Sequence, residues 1–299
     1  MQLATCISGK SWEVALAVEP SPSVRRRRLG HELRELRERA GFTLDDAAAQ
    51  LEVSAAKISR IETAKVGVRS RDVEDLLDLY GLRDAQQRSD LLTLTRDSRQ
   101  HAWWEPFSNA MPPGEDLAIG LEGEAVSIRM FSPHFIEDLF QTEEYARELL
   151  IASYRTESPE QVDLRVKLRM ARQRILDQND GLEVRAVLDE SLLHRPVGGH
   201  EILRQQVSRL IQIAQFPNVS IRVIPLSVGA HPGGDGSFRI VDLSPPNPSI
   251  VHIGYLTGAT FIEGDDRVKL YSDIFTHLEY ASMTREQSLD LLMRLSGPQ

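Results

Sequence analysis

Cysteine is nearly missing from this sequence: Cys6 is the single one in 299 residues. No disulfide can form within the chain, and no cysteine cluster can hold a metal. Long apolar runs are missing as well. No stretch reaches the roughly 18 apolar residues of a membrane span. The opening MQLATCISGKSWEVALAVEP, interrupted by Glu13, lacks the apolar run of a signal peptide. These absences point to a reducing, cytoplasmic setting with no membrane partner. Residues 1–23 read as a poorly ordered leader, because PSPSV precedes the first periodic helix. Also missing are a nucleophile elbow, an HExxH pair and a phosphate loop followed by Lys-Ser/Thr. The chain is therefore read as a non-enzyme with no cofactor and no metal.

What is present is ordinary globular composition, 41% hydrophobic and 26% charged, over a length that suits two domains. The formal net charge of -9 is unevenly divided. Residues 24–99 carry 16 Lys+Arg against 14 Asp+Glu, whereas residues 100–299 carry 18 against 28. An acidic total does not exclude nucleic-acid binding when the cations are local.

In RRLGHELRELRERA (27–40), Leu29, Leu33, Leu36 and Ala40 recur on one helical face, and Gly41 ends the helix where left-handed backbone is wanted. Thr43 is a natural N-cap for a small Ala-rich helix over 44–51, with Asp45 and Asp46 at the positive end of its dipole. Ser54 caps a third helix, 55–63. Two short capped helices joined by a tight turn make a helix-turn-helix. On the third helix Ile58 and Ile61 face inward, while Ala56, Lys57, Ser59, Arg60 and Thr63 cover the opposite arc. Small residues let a helix sink into a major groove, and Lys and Arg supply phosphate or guanine contacts. A solvated charged face accounts for Lys57 and Arg60 alone, but not for the capped pair of short helices around them. RSRDVEDLLDLYGL, with Ser70 as a cap, and residues 84–99 add two further helices and close a five-helix bundle. The tract RRRR at 25–28 reads as a basic arm on phosphates or as a solubilising start; its place beside the helix-turn-helix favours the arm. The candidate DNA contacts are Arg27, Arg28, Thr43, Ser54, Ala56, Lys57, Ser59, Arg60 and Thr63.

LRELRERAGFTLDDAAAQLEVSAAKISRIET resembles the XRE-type helix-turn-helix of lambda-repressor-like regulators. Ala48, Ile58 and the segment Ser59 to Glu62 stand at matching positions. The whole chain resembles an actinobacterial subgroup in which this domain precedes a long, antitoxin-like C-terminal domain. EGEAVSIRMF, LFQTEEYARELL, LDESLLHRPVGG, VSIRVIPLSVGAH and FRIVDL carry the likeness into the second half. Three positions depart from the pattern. Leu44 replaces a Gln that reaches a phosphate, Glu52 replaces a turn Gly, and Ile253-Gly254-Tyr255 replaces an acidic residue after a late strand. The resemblance implies a sequence-specific regulator that binds double-stranded DNA in the major groove, and a homodimer is expected because one short helix reads too few base pairs for genomic specificity. It also implies control by a small partner protein encoded nearby.

HAWWEPFSNAMPPGED has no period and reads as a connector, so residues 101–118 are assigned as a linker. Trp103 and Trp104 are expected to pack back onto one domain. Helical patterns follow at 119–130, 142–153 and 158–178, the last with Ser158 and Gln161 as a capping box. The period then changes: a strand at 182–190, a helix at 200–215, a strand at 219–226, three short strands within 237–263, and helices at 265–282 and 284–295. Residues 119–299 are thus expected to form an α/β or α+β regulatory and dimerisation domain with flanking helices. VGAHPGGDGSF (228–238) is Gly-rich enough to cradle an anion, but connects two strands more simply. His194, His231 and His252 with Asp189, Glu190, Asp235 and Ser191 are the residues from which a catalytic site would have to be assembled. A small-molecule sensor and an enzyme with an appended DNA-binding domain are the rival readings of this half.

Overall fold

The computed structural model describes residues 22–98, 102–178, 181–244 and 247–297. Cys6 and nearly all of the expected leader lie outside them. The N-terminal bundle has five helices: α1 (Pro22–Arg39), α2 (Leu44–Gln50), α3 (Ala55–Glu62), α4 (Ser70–Leu79) and α5 (Ala85–Asp97). Its core is the expected apolar stripe, Leu29, Leu33 and Leu36 of α1 against Ala47, Ala48, Ile58 and Ile61, closed by Val73, Leu76 and Leu77. Gly30 lies at the tightest crossing. A Cβ there would stand 2.5 Å from the Glu62 carbonyl oxygen and 2.8 Å from that of Ile61. Only glycine lets α1 approach the end of α3 so closely.

α1 begins five residues earlier than the apolar period indicates, and this changes the meaning of the basic tract. Residues 25–28 are part of the helix and not an arm preceding it. Arg25 is buried and its Nη1 reaches the Asp97 carbonyl at 3.5 Å. Val24 belongs to the core of the following domain, beside Leu121 and Ile250. The first turns of α1 thus pack on the second domain, while its remainder builds the bundle.

The second domain consists of α6 (Glu115–Glu124), β1 (Ala125–Ser132), α7 (Glu143–Ser153), α8 (Pro159–Arg172), α9 (Ile175–Gln178), β2 (Glu183–Asp189), α10 (His200–Ile213), β3 (Val219–Ile224), β4 (Phe238–Leu243), β5 (Ile250–Tyr255), β6 (Gly258–Ile262), α11 (Asp265–Ala281) and α12 (Arg285–Ser296). It is a six-stranded mixed sheet in the order β3-β2-β1-β4-β5-β6, parallel from β1 to β3 and antiparallel from β1 through β4 to β6. The chain is therefore multidomain, an all-α bundle followed by an α/β domain. Alternation along each strand separates two cores. Ile128, Met130, Val184 and Ala186 face α6, α10 and α12, whereas Phe131, Val187 and Ile240 face Phe275 and Leu278 of α11.

Three expectations need correction. Residues 125–130, read as the end of a helix, are the strand β1 at the centre of the sheet. Buried on both faces, β1 carries no clean alternation, and a short apolar run does not distinguish helix from strand. Residues 102–118 are not a free connector: a 3-10 turn spans Glu105–Ala110, α6 starts at Glu115, and Trp104 packs with Ile119 and Leu168. Trp103 stands edge-on to it at 5.6 Å and remains exposed. Ser158 caps α8 by accepting from the Gln161 amide, without the reciprocal bond; the full capping box occurs at Thr284 and Gln287.

Candidate functional site

The helix-turn-helix is built by its caps. The Thr43 hydroxyl accepts from the Asp46 amide at 3.1 Å, and the Asp46 carboxylate accepts from the Thr43 amide at 3.0 Å. At the turn, the Val53 amide donates to the Ala48 carbonyl at 3.0 Å, which places Glu52 in left-handed backbone at φ 53°. The Ser54 hydroxyl then accepts from the Lys57 amide at 3.2 Å and starts α3. α3 ends in the same way, with Lys65 N–H on the Arg60 carbonyl at 2.8 Å and Ala64 at φ 56°. Eight residues of α-helix are about 12 Å long, close to the width of the B-DNA major groove.

Across α3, Ile58 and Ile61 are buried, while Ser54, Ala56, Arg60 and Thr63 are exposed and Lys57 and Ser59 half-buried. The outward residues differ in how free they are. Lys57 Nζ pairs with Asp72 of α4 at 3.2 Å. Arg60 Nε donates to the Ala56 carbonyl at 3.2 Å and Thr63 Oγ1 to the Ser59 carbonyl at 2.6 Å, so both side chains lie along the helix. Arg28 is exposed on α1. Arg27 is placed otherwise than expected for a phosphate contact: it pairs with Glu263 and lies over the Phe261 ring at 5.6 Å. This guanidinium is engaged by the second domain.

Sequence reasoning overlooked what holds α3 in position. Glu62, the last residue of the helix, accepts from Arg37 Nε at 2.7 Å and Nη2 at 2.9 Å, and Arg37 Nη1 donates to the Phe42 carbonyl at 2.8 Å. The bonds from Glu62 raise the Arg37 pKa, against burial. Next to this pair the Tyr80 hydroxyl is buried with no hydrogen-bond partner among the described residues, and burial followed by the Glu62 charge raises its pKa. Lys65, Arg69 and Arg71 also stand exposed beyond α3. Their clustering after a recognition helix was a signal that could have been used.

The second domain contains a cleft of about 630 Å³ between α8, the segment 132–141 and the β5–β6 turn. Its floor is an ion-pair network. Arg172 bonds Glu122 through Nε at 3.1 Å and Nη2 at 2.6 Å, and reaches Asp138 at 2.8 Å and Glu115 at 3.3 Å through Nη1. Arg239 bonds Glu122 at 2.8 Å, Glu137 at 2.6 Å and also Asp138. Burial alone would raise the Asp138 pKa; Arg172 and Arg239 beside it hold it well below the carboxylate range. Burial, then the positive charges of Arg239 and Arg172, push the His252 pKa down to about 3. Sheet register places Arg239, His252 and Phe261 directly opposite one another on β4, β5 and β6. The His252 and Phe261 rings are 5.3 Å apart, and Phe261 supports Arg27 of α1. A chain of direct contacts thus runs from the cleft floor to the DNA-binding domain.

The residues considered for catalysis are arranged otherwise. Asp189 accepts from Ser191 Oγ and, at 3.2 Å, from His231 Nε2, while Gly233 N–H donates to His231 Nδ1 at 3.2 Å. Serine and histidine both lie on the carboxylate, so the imidazole is not positioned to take the serine proton. His231 instead pins the Gly-rich loop 228–238. A Cβ at Gly233 would stand 2.2 Å from the Phe131 ring, so this glycine serves packing. Among the described residues, no three His, Cys, Asp or Glu side chains are grouped to hold a metal, and no helix is long and apolar enough to cross a membrane.

Residues 28–91 match the helix-turn-helix domain family, and residues 116–294 match a domain of unknown function, DUF5753. The N-terminal bundle is thus a DNA-binding helix-turn-helix domain and the chain a DNA-binding regulator. A comparison with curated proteins gave no match.

Proposed function

Because this chain belongs to the DUF5753 family and joins that domain to a helix-turn-helix, we propose that it is a transcriptional regulator and not an enzyme, binding operator DNA as a homodimer. The observation that carries the reading is α3 itself: capped at Ser54, anchored by Ile58, Ile61 and Glu62, and exposing Ala56, Arg60 and Thr63 along a groove-sized face. One such helix reads too few base pairs for genomic specificity, which requires two copies on half-sites about 34 Å apart or a multiple of that. The acidic second domain is the natural dimer surface, since it leaves the DNA face free. Tyr280, Leu270 and Met293 are apolar groups available there, 84%, 58% and 49% exposed. In the antitoxin-like arrangement that the resemblance suggests, this domain also takes a small regulatory protein encoded nearby.

The test uses genomic fragments selected by the intact protein. Arg60→Gln is expected to weaken binding by about 1–3 kcal/mol. Lys57→Gln is expected to weaken it less, because Lys57 already shares its charge with Asp72. Parental affinity in both variants at about 0.15 M salt would remove α3 as the reading helix. A second reading, control by a small molecule, is favoured by the cleft with converging polar groups and by its contact route through His252 and Phe261 to Arg27.

A further inference from the structure

One cation at the cleft is left over from the ion-pair network. Arg172 and Arg239 are saturated by carboxylates, as described above. Arg169 lies almost one turn earlier on α8 and lines the same cleft. Among the described residues it makes a single hydrogen bond, from Nη1 to Gln141 Oε1 at 2.8 Å, and no ion pair. Gln141 is held in turn, its Nε2 donating to the Ile136 carbonyl at 2.6 Å, which keeps its oxygen turned to the guanidinium. Burial lowers the Arg169 pKa, the mark of a charge short of solvation. The His252 ring, which lines the same cleft, makes no hydrogen bond among the described residues. Leu149, Leu150 and Tyr154 give the lining an apolar stretch, with the Arg165 guanidinium over the Tyr154 ring at 4.1 Å.

A guanidinium with one neutral partner in a cleft of this size lacks an acceptor that an anionic ligand would supply. The charges already present set the valence of that ligand. Glu115, Glu122, Glu137 and Asp138 face the guanidiniums of Arg169, Arg172 and Arg239, while Arg165, near Glu115, is already held by Glu157. These carboxylates repel any anion and a dianion about twice as strongly, so a single negative charge on the one open cation is favoured.

We propose that this cleft binds a small organic monoanion, a carboxylate on an apolar body, with the carboxylate forked on Arg169 and the body against Leu149, Leu150 and Tyr154. The site gives chemical content to the small-molecule reading above, on which it rests.

Calorimetry on the full chain with octanoate and its neutral analogue octanamide tests it. The parent is expected to bind octanoate about tenfold or more tighter than octanamide. Arg169→Gln should bring octanoate down to the octanamide level and leave octanamide unchanged. If that variant does not fold, Leu256→Glu replaces it: this residue is 59% exposed at the rim, and its new carboxylate should weaken octanoate alone. Octyl phosphate at pH 8, a dianion, should bind more weakly than octanoate. No octanoate binding, equal affinity for the acid and the amide, octyl phosphate bound more tightly than octanoate, or octanoate affinity untouched by the folded variant would overturn the proposal. Operator affinity measured with saturating octanoate is a separate arm. Binding without any change in operator affinity keeps the site and removes the small-molecule control.

Discussion

Arg37 in the N-terminal bundle and Arg239 in the second domain are both buried guanidiniums, 7% and 9% exposed, yet they are neutralised in different ways. Arg37 has Glu62 in a two-pronged bond between the first and third helices, completed by the Phe42 carbonyl, with the Glu38 carboxylate more distant at 3.6 Å. Arg239 shares Glu122 and Asp138 with Arg172 and has Glu137 to itself. The first site is closed: one two-pronged pair in a single geometry, with Glu38 at its edge. The second is open, with more carboxylates than the two arginines require and a cleft on one side. A closed pair fixes where the recognition helix sits. An open network holds its members together while leaving room for a further charged group.

The largest expected effect tests the closed pair. Glu62→Gln removes the two-pronged carboxylate partner of a buried arginine and leaves it only the partly exposed Glu38 at 3.6 Å, and loss of one partner of such a pair costs about 3–5 kcal/mol. Urea denaturation of the variant would show it, and DNA binding should fail with the loss of folding. Glu122→Gln probes the other kind. Arg172 keeps Asp138 and Glu115, and Arg239 keeps Glu137 and Asp138, so a loss of about 2 kcal/mol is expected. A cost for Glu122→Gln above that for Glu62→Gln would reverse the distinction between the two sites.

A third prediction uses pH. His252 has a folded pKa of about 3 against an ordinary 6.5. The unfolded chain therefore binds a proton there before the folded one does. Stability is full above the unfolded pKa and is lost as pH falls from 6.5 towards 3. At pH 5 the loss should be about 2 kcal/mol, from 1.4 kcal/mol per pH unit. His252→Gln should flatten that part of the stability profile, as read by denaturation between pH 7 and 5. An unchanged slope would mean that burial and the two arginines do not depress the pKa of this ring.

The smallest effect concerns backbone instead of charge. Glu52 is left-handed in the turn between the two short helices, a conformation that costs a non-glycine residue about 1 kcal/mol. Glu52→Gly should therefore stabilise the bundle by up to about 1 kcal/mol in a thermal melt, leaving operator affinity unchanged. Destabilisation would show that the Glu52 side chain contributes something the turn geometry does not reveal.

Local features carried much of this in the sequence. The stripe Leu29, Leu33, Leu36, the caps Thr43 and Ser54, and the inward pair Ile58 and Ile61 are set by residues three or four apart. They fixed the helix-turn-helix and the outward arc of its recognition helix. The change from helical to strand period near residue 182 likewise marked the α/β character of the second half. These signals are legible because propensity, capping and periodicity act over one or two turns of chain.

Other properties arise only when distant segments meet. β1 became the central strand because two faces of core cover it, and burial on both sides erased the alternation that marks a strand. Arg27 was turned from a presumed phosphate contact to a clasp on Glu263, 236 positions along the chain. Arg172 and Arg239 share carboxylates across 67 positions, and no spacing encodes such a meeting. By itself the sequence determined that this chain folds a DNA-reading helix ahead of an α/β domain. Which charges that fold satisfies, and which one it leaves facing the cleft, was decided only by tertiary packing, because the energy of a buried charge depends on what surrounds it in space.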